Sequence, residues 1–251
     1  MPSIEEYRKF LKSDLWEQWA SLSPDQQRGV PCPPLEKPTP EHARRIDLIA
    51  PADMRVGREP LFDMIARRQS RRKYDPAPLS LEELSFLLWA TQGVHEIIAN
   101  GHATRRSVPS GGARHPFETY LAISRVADLT PGLYRYLALE HQLCFLYDDP
   151  TIMDRVADAC NRQHFVKGAA VTFIWTVIPY RTEWRYSIIG EKVIALDAGH
   201  LCQNLYLASE AIGAGTCAIA AYHQAKLDAI LAIDGQEEFS IYAAPVGKLP
   251  H

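Results

Sequence analysis

The sequence lacks the cysteine patterns of secreted and zinc-binding proteins. Its five cysteines are scattered and odd in number, with no Cys-x-x-Cys pair and no zinc-type spacing. Scattered cysteines without such spacing are typical of reduced, buried thiols in a cytosolic protein. We therefore expect a cytoplasmic protein with no disulfide framework and no metal site.

Long apolar runs and a strong net charge are also missing. The longest apolar run, residues 169–178, is too short to cross a bilayer as a helix. The N-terminus carries Glu5, Glu6 and Asp14 and has no cationic region before an apolar core, so we expect no signal peptide. The formal charge is −3 and the basic residues form one local run. We therefore expect neither a membrane nor a nucleic-acid partner.

The first 58 residues differ from the rest of the chain. Apolar residues recur there at helical spacing, with two tryptophans close by: Ile4, Tyr7, Leu11 and Leu15, then Trp16 and Trp19. Prolines crowd residues 31–40 and disfavour helix and strand pairing. We predict an N-terminal helix and Pro-rich arm over 1–58 and one main domain over 59–251. The arm either packs on the main domain or its partner, or acts as a substrate lid.

The main domain has an α+β pattern. Ser80-Leu81-Glu82-Glu83 is a capping box that begins a helix ending near Gly93. A second helix is predicted from Asp149-Pro150 to about Cys160, and a long one from about Gly190 to Ile212, with Val193, Leu196, Leu201, Leu205 and Ile212 on its apolar side. The predicted strands are 117–124, 133–137, 142–147, 169–178 and 239–246. Because strands and helices do not alternate regularly, a doubly wound sheet is not expected.

A dense basic segment is the most informative local feature. Residues 67–73 hold five cations and a serine hydroxyl, directly after an apolar patch with helical spacing. Guanidinium groups and a hydroxyl suit a phosphate, whereas a solvated basic patch at a helix end is the alternative interpretation. Gly213-Ala214-Gly215-Thr216-Cys217-Ala218 matches the dinucleotide fingerprint by letters only. A long helix precedes it where the fingerprint requires a strand, so we reject a nicotinamide-binding Rossmann site.

Three segments together resemble one family. The segment Arg68 to Tyr74 resembles the R-x-S-x-R-[KR]-[FY] phosphate motif of the nitroreductase fold. Pro109 to Pro116 and Gly213 to Tyr222, followed by Pro245-Val246-Gly247-Lys248, are similar to its later motifs in the same order. The resemblance covers roughly residues 59–249 and is to the SagB-type dehydrogenase branch. It implies a nitroreductase-like fold, with a mostly antiparallel central sheet flanked by helices, in an intertwined homodimer that binds FMN.

The resemblance also implies which residues hold FMN. The phosphate would be bound by Arg68, Gln69, Ser70, Arg72 and Lys248. A turn reaching the flavin from the other subunit would be Pro109, Ser110 and Gly111, and the pyrimidine edge would face Asn161. The backbone N–H groups of Ala220 and Ala221 would point at flavin N5. From the residues alone, these segments could equally be a turn, a capping asparagine, a strand entry and a tail lysine.

A few further residues are candidates without a fixed role. Arg114 is either an exposed cation that faces the flavin or part of a surface ion pair, and His115 follows it. His164 stands where relatives have a lysine near the flavin. The cluster Glu183 to Tyr186 is a candidate wall of the substrate pocket.

The implied function is that of an FMN-dependent oxidoreductase. It would move two electrons between NAD(P)H or an organic donor and an acceptor, on a small-molecule or peptide substrate. No catalytic side chain is assigned, because the flavin performs the chemistry. The alternatives are an oxidase or dehydrogenase of peptide-derived azoline heterocycles, and a non-enzymatic FMN-binding protein.

Overall fold

The computed structural model describes residues 3–250, which form a seven-stranded sheet flanked by helices. Its helices are α1 (Ile4–Arg8), α2 (Leu61–Arg67), α3 (Leu81–Gln92), α4 (Ile152–Ala159), α5 (Tyr180–Tyr186), α6 (Gly190–Glu210) and α7 (Gln224–Leu231). Its strands are β1 (Arg45–Asp47), β2 (Val94–Ile98), β3 (Ala103–Arg106), β4 (Phe117–Ile123), β5 (Gly132–Leu137), β6 (Gln142–Asp148), β7 (Val171–Val177), β8 (Ala214–Thr216) and β9 (Phe239–Lys248).

The central sheet has the order β1-β6-β5-β4-β7-β9-β8. All of its named strand pairs are antiparallel, which confirms the predicted sheet and the α+β class. Strand β7 lies between β4 and β9, and every one of its residues is buried. The β-branched and aromatic run that predicted an interior strand thus has the burial that such a strand needs.

Helix α3 begins where its sequence signal places it. The Ser80 side chain accepts from the Glu83 N–H, and the Glu83 carboxylate accepts from the Ser80 N–H, so both halves of the capping box form. Leu84, Leu87 and Leu88 are fully buried in the core that α3 shares with α6. The helix ends at Gln92, next to Gly93, as predicted.

Helix α6 is confirmed in extent, but part of its predicted apolar face is wrong. Ile194, Leu201 and Leu205 are buried, whereas Leu196 is 58% exposed. The sequence places apolar residues on two sides of this helix, and periodicity alone did not show which side meets the sheet. The side of α6 that carries Leu196 could therefore contact a second protein surface.

A hairpin that the sequence analysis did not assign joins α3 to β4. Strands β2 and β3 pair antiparallel around Asn100 and Gly101, both with positive φ (55° and 89°). Asn-Gly between two short strands is a strong hairpin signal, because both residues tolerate this conformation. The Asn100-Gly101 pair therefore predicts this hairpin from the sequence alone.

The N-terminal segment is less helical than predicted. Within residues 3–58, Ile4–Arg8 is the only α-helix, and 3-10 turns follow at Lys9–Leu11 and Asp14–Ser21. Ile4, Tyr7 and Leu11 are each about two-thirds exposed or more, at 73%, 67% and 68%. Their helical spacing therefore does not reflect burial against this chain's own core.

The Pro-rich segment is extended, as predicted, and is tied to the sheet. We call residues 35–39 the strap. The Lys37 ammonium lies 2.5 Å from a carboxylate oxygen of Glu238, and the Lys37 backbone N–H donates to the Glu118 carboxylate over 2.7 Å. Arg135 donates to the Pro38 carbonyl over 3.0 Å. Strand β1 then pairs with β6 at the edge of the sheet. Strand β1, which lies within residues 1–58, thus completes the main sheet. The predicted domain boundary at residue 58 stays a prediction.

In the described part of the chain, no helix is both long and apolar enough to span a membrane. All five cysteines are unpaired, and all but Cys32 are buried.

Candidate functional site

The basic segment leaves α2 and runs along α6, where it meets Tyr206. The Arg68 guanidinium lies 5.3 Å from the centre of the Tyr206 ring, within the range of a cation–π contact. The Ser70 hydroxyl lies 3.0 Å from the Tyr206 hydroxyl. Two residues of the predicted phosphate motif are thus held against the same side chain of α6.

The cations of this segment divide into two kinds. Arg71 pairs with the buried carboxylate of Glu210 over 3.3 Å, and its N–H donates to the Thr216 carbonyl over 2.9 Å. The Arg72 guanidinium lies 5.8 Å from the centre of the Phe165 ring. Within residues 3–250, neither Arg68 nor Arg72 takes part in an ion pair. Arg71 is therefore structural, while the charges of Arg68 and Arg72 remain available to an anion.

Gln69 packs beside Arg71 rather than beside the free cations. With its amide turned so that both ends are satisfied, its oxygen accepts from two Arg71 guanidinium nitrogens, at 2.9 and 3.1 Å. The Gln69 side chain is thus hydrogen-bonded to Arg71, so a ligand would meet the backbone of Gln69 rather than its side chain.

The loop after β8 meets the same tyrosine. The Ala218 N–H donates to the Tyr206 hydroxyl over 2.9 Å. Ile219 then pairs with Ala243 through both of its backbone groups, and the chain leaves the sheet. Ala220 and Ala221 are exposed, and in the described residues no acceptor pairs with either of their N–H groups. We call residues 218–221 the alanine loop, and two of its backbone donors therefore face outward, next to the basic segment.

A third segment, residues 160–165, closes this side of the site. Asn161 and Arg162 have positive φ values of 54° and 57°, which bends the chain sharply. Gln163 donates from Nε2 to the Ala221 carbonyl over 3.2 Å. Asn161 and His164 are exposed. The contact to the alanine loop is thus made by Gln163, which the sequence analysis did not select, and not by Asn161 or His164.

The turn at Pro109, Ser110 and Gly111 is held by Asp197 of α6. The Ser110 hydroxyl donates to Asp197 over 2.6 Å, and the Gly111 N–H donates to it over 3.0 Å. Burial raises the pKa of Asp197, and these two donors oppose that rise. Asp197 and Tyr206 are nine residues apart on one helix, about 14 Å along its axis at ~1.5 Å per residue. Within one chain the turn and the alanine loop are thus attached to α6 at positions nine residues apart.

Close contacts fix the glycines of this turn. A Cβ on Gly111 would lie 2.3 Å from Val193 Cγ1, and one on Gly112 would lie 2.8 Å from the Tyr186 hydroxyl. Gly112 also has a φ of 59°, which disfavours other residues. The turn is thus pressed against the start of α6 and the end of α5.

The predicted substrate-facing cluster at Glu183 to Tyr186 instead meets the N-terminal segment. The Trp184 indole is buried and donates to the Val30 carbonyl over 2.9 Å, and Arg185 donates to the Gln26 side chain over 3.1 Å. The Tyr186 ring contacts Trp16 and Trp19. These contacts show that the arm packs on its own main domain.

The expectation that Arg114 is exposed is wrong. Its side chain is only 4% exposed, stacks 4.9 Å from the Trp184 ring centre, and donates to the carbonyls of Arg181 and His102, each over 2.8 Å. A third contact reaches the Cys32 sulfur at 3.1 Å. His115 is also buried, and desolvation lowers its pKa to about 3, so it is neutral.

Lys248 lies at the end of β9 with its charge already engaged. Its ammonium pairs with the Glu83 carboxylate and donates to the Ile212 carbonyl over 2.9 Å. It thus anchors the C-terminal end of α6 to α3. A phosphate would have to compete with both partners for this ammonium, and the role of Lys248 in phosphate binding stays a prediction.

Asp197 and Tyr206 are the main residues that the sequence analysis missed. Asp197 lies one turn from Ile194 and Leu201, on the buried face of α6. A carboxylate on a buried helix face requires donors, so this position carried a readable signal. The sequence around Tyr206 carried no such signal, because the hydrogen-bond partners of Tyr206 come from segments distant in the sequence.

One family model and several known proteins match most of this chain. The model of the family described as "Nitroreductase family" matches residues 65–248. A candidate nitroreductase of Methanocaldococcus jannaschii is 31% identical over 188 residues, which cover 75% of this chain and 90% of that protein. The trifolitoxin-processing protein TfxB of Rhizobium leguminosarum bv. trifolii is 28% identical over 63% of this chain. This chain spans only 44% of TfxB.

Solved structures share the fold. A candidate nitroreductase from Ralstonia eutropha has a TM-score of 0.68 and 25% identity, covering 88% of this chain and 99% of that one. One from Anabaena variabilis has a TM-score of 0.69 and 21% identity over 84% of this chain, which spans 42% of that longer chain.

Two further structures of the same fold were solved with a bound molecule. A candidate nitroreductase from Desulfovibrio desulfuricans in complex with FMN has a TM-score of 0.54 and 21% identity, covering 77% of this chain and 88% of that one. A chain of the Escherichia coli microcin synthetase McbBCD complex, with truncated pro-MccB17 bound, has a TM-score of 0.61 and 15% identity, covering 100% of this chain and 99% of that one.

Proposed function

This chain belongs to the nitroreductase family, and we propose that it is an oxidoreductase that works through bound FMN. It would transfer two electrons between NAD(P)H or an organic donor and an acceptor. The observation that carries the proposal is the Tyr206 hydroxyl, which joins Ser70 of the basic segment to Ala218 of the alanine loop. Two motifs that are about 150 residues apart in the sequence thus form one site.

The basic segment fits a terminal phosphate. Arg68 and Arg72 offer guanidinium donors that no carboxylate of the described chain occupies, and Ser70 adds a hydroxyl. Charge-assisted hydrogen bonds of this kind are the stronger ones in proteins. An FMN phosphate would be held by these three residues.

The alanine loop fits the edge of a flat ring. Ala220 and Ala221 carry short side chains and outward N–H groups, so a ring can approach the backbone closely. Preorganised N–H donors stabilise negative charge that develops on a bound group. When bound, FMN supplies the two-electron chemistry. The loop would orient the ring, and the Gln163 contact to Ala221 would hold the loop in place.

We also propose that the protein is a homodimer with FMN at its interface. Leu61, Phe62 and Ile65 of α2 are 62%, 81% and 59% exposed, and Leu196 of α6 is 58% exposed. Apolar exposure on this scale is typical of a surface that is covered in an assembly. In this dimer a second copy would also bring its Ser110 turn to the alanine loop.

A second candidate is the oxidation of a heterocycle on a peptide, such as an azoline. It is favoured by the similarity to TfxB, a protein named for processing trifolitoxin. The same FMN site would serve, with a peptide as the electron donor.

The proposal is tested on the purified protein. The cofactor is released by heat and identified by chromatography and absorption, and the holoprotein is mixed anaerobically with NADH or NADPH. We expect FMN, not FAD, near one per chain, and bleaching of the flavin absorption by a donor. Bound FMN that no donor reduces would support a non-enzymatic flavoprotein. Protein that takes up no FMN would refute the proposal.

A further inference from the structure

The two arginines of the basic segment that form no ion pair in the described residues each lie over an aromatic ring from a distant segment. The Arg68 guanidinium is 5.3 Å from the centre of the Tyr206 ring, and the Arg72 guanidinium is 5.8 Å from the centre of the Phe165 ring. Both distances lie within the ~6 Å range of a cation–π contact. Phe165 is therefore to Arg72 what Tyr206 is to Arg68.

A ring holds a guanidinium in a way that a carboxylate does not. Arg71 gives its Nε–H to the buried carboxylate of Glu210, so that donor is no longer available to a ligand. A ring attracts the same kind of cation through its face and takes none of the N–H donors. Within residues 3–250, the Arg72 side chain makes no hydrogen bond, so its N–H donors stay available to an anion.

Phe165 itself is held from two sides. It belongs to the 3-10 turn His164–Gly168, and its ring is partly buried against the core around α4 and α7. The next residue, Val166, is fully buried. Two residues before Phe165, Gln163 donates to the Ala221 carbonyl over 3.2 Å. The turn is thus fixed to the core and to the alanine loop, and the Phe165 ring is a firm support.

The Arg72 side chain needs such a support if it is to bind an anion well. Arg72 is exposed, and a long side chain in water samples many rotamers. Ordering it when a ligand binds costs conformational entropy, which lowers the affinity. A ring that keeps the guanidinium in one place beforehand reduces this cost. Phe165 therefore matters for anion binding, although its own side chain has no group that binds an anion.

We propose that Phe165 is a positioning residue of the cofactor site, and that its ring orients the Arg72 guanidinium for the phosphate. The proposal rests on the proposed function and adds a residue that acts through Arg72 rather than on the cofactor. It implies that loss of the ring weakens the binding of ligands that carry a phosphate and spares ligands without one.

The test uses the full chain, freed of cofactor. Phe165→Leu and Phe165→Met remove the ring and keep apolar bulk, whereas Phe165→Tyr keeps a ring. Phe145→Leu is the matched control, because Phe145 is also partly buried and its ring centre lies 5.6 Å from a guanidinium, that of Arg44 beside strand β1. Dissociation constants of FMN and riboflavin are measured by flavin fluorescence, and that of inorganic phosphate by phosphorus NMR.

We expect the dissociation constants of FMN and inorganic phosphate to rise about two- to fivefold in both ring-free variants, in line with the loss of one cation–π contact at an exposed site. Riboflavin should bind all of these proteins equally. Phe165→Tyr and Phe145→Leu should match the wild type. When Arg72→Ala is already present, Phe165→Leu should add no further loss, because the guanidinium that the ring supports is gone.

Wild-type affinity for FMN and phosphate in both ring-free variants would overturn the inference. An equal loss of FMN and riboflavin binding would overturn it as well, because the ring would then support the loop or the fold. A further loss on top of Arg72→Ala would have the same meaning. Wild-type protein that binds phosphate but no FMN marks a failure of the proposed function instead, and the phosphate titration then decides the role of Phe165. Binding of neither ligand would overturn both.

Discussion

The hydroxyl of Tyr206 lies 3.0 Å from the hydroxyl of Ser70, and so the long helix α6 holds the basic segment in place. The same oxygen accepts from the Ala218 N–H over 2.9 Å. One phenol therefore bridges the two motifs by side-chain hydrogen bonds, beside the backbone bond from the Arg71 N–H to the Thr216 carbonyl.

Removal of this hydroxyl should weaken cofactor binding. Tyr206→Phe deletes both hydrogen bonds and keeps the ring beneath Arg68. At ~0.5–1.5 kcal/mol for each bond, we expect FMN affinity to fall roughly tenfold. Fluorescence titration of the apoprotein with FMN measures this. Tyr222→Phe is a suitable control, since its hydroxyl bonds the Ser240 carbonyl elsewhere. Equal losses in both variants would argue against a specific role for Tyr206.

The two unpaired arginines should carry the affinity for phosphate. Each charge-assisted bond contributes ~1.5–3 kcal/mol, so Arg68→Ala or Arg72→Ala should weaken FMN binding by roughly ten- to a hundredfold. Lys73→Ala removes a neighbouring exposed cation and should have little effect. Riboflavin, which lacks the phosphate, should bind the wild type and the arginine variants equally. Unchanged FMN affinity in both arginine variants would refute the phosphate assignment.

The backbone donors of the alanine loop can be removed one at a time. Ala220→Pro and Ala221→Pro each delete an N–H and fix φ, whereas Ala→Ser at either position keeps the donor. We expect at least one proline variant that retains FMN to show a lower midpoint potential and slower reduction, because stabilisation of the reduced cofactor is lost. Reductive titration measures the potential. Wild-type potentials and rates in both proline variants would show that the loop does not serve the ring.

The proposed dimer makes a direct prediction about mass. Light scattering at micromolar concentration should give twice the 28.3 kDa of the chain. Phe62→Glu introduces a charge into the exposed apolar face of α2 and should shift the protein toward the monomer, with loss of FMN. Glu41→Lys changes an exposed charge in the Pro-rich arm and should leave the mass unchanged. A wild-type monomer that binds FMN tightly would exclude a shared site.

Glu36 of the strap should make stability depend on pH. Burial, aided by the nearby carboxylate of Glu118, raises its pKa from 4.5 to about 7. The folded state therefore favours the protonated acid, and its contribution to stability is lost as the pH rises from about 4.5 through 7. At ~1.4 kcal/mol per pKa unit, the free energy of unfolding should fall by up to about 3 kcal/mol over that range.

Urea unfolding at pH 5 and at pH 8 measures the effect. Glu36→Gln should remove most of the difference, because the amide does not titrate. Glu41→Gln, an exposed neighbour, should leave the difference intact. A wild-type protein with equal stability at the two pH values would contradict this account of the Glu36 carboxyl.

The parts of the structure that the sequence predicted are those with local causes. Ser80 and Glu83 cap α3 through bonds between near neighbours, and the β-branched run of β7 reflects burial on both faces. Leu196 shows the limit of this reasoning, since a helix with apolar residues on two sides does not reveal which one meets the sheet.

The site was predicted in part for the same reason. The basic run and the small-residue loop were visible as segments, but their meeting at Tyr206 depends on how α6 crosses both. Arg114 was misjudged because an isolated arginine looks exposed, and only the fold brings Trp184 and two carbonyls around it. Contacts between segments that are distant in the sequence cannot be predicted from the residue pattern around either segment.

The ion pair between Lys37 and Glu238 joins residues 201 positions apart. A ribosome that makes the chain from its N-terminus exposes the strap long before it exposes Glu238. Until Glu238 has emerged, the strap therefore lacks the partner of its ammonium group, and the closure of so large a loop is slow. The strap should thus dock on the sheet only after the segment that carries Glu238 has been made.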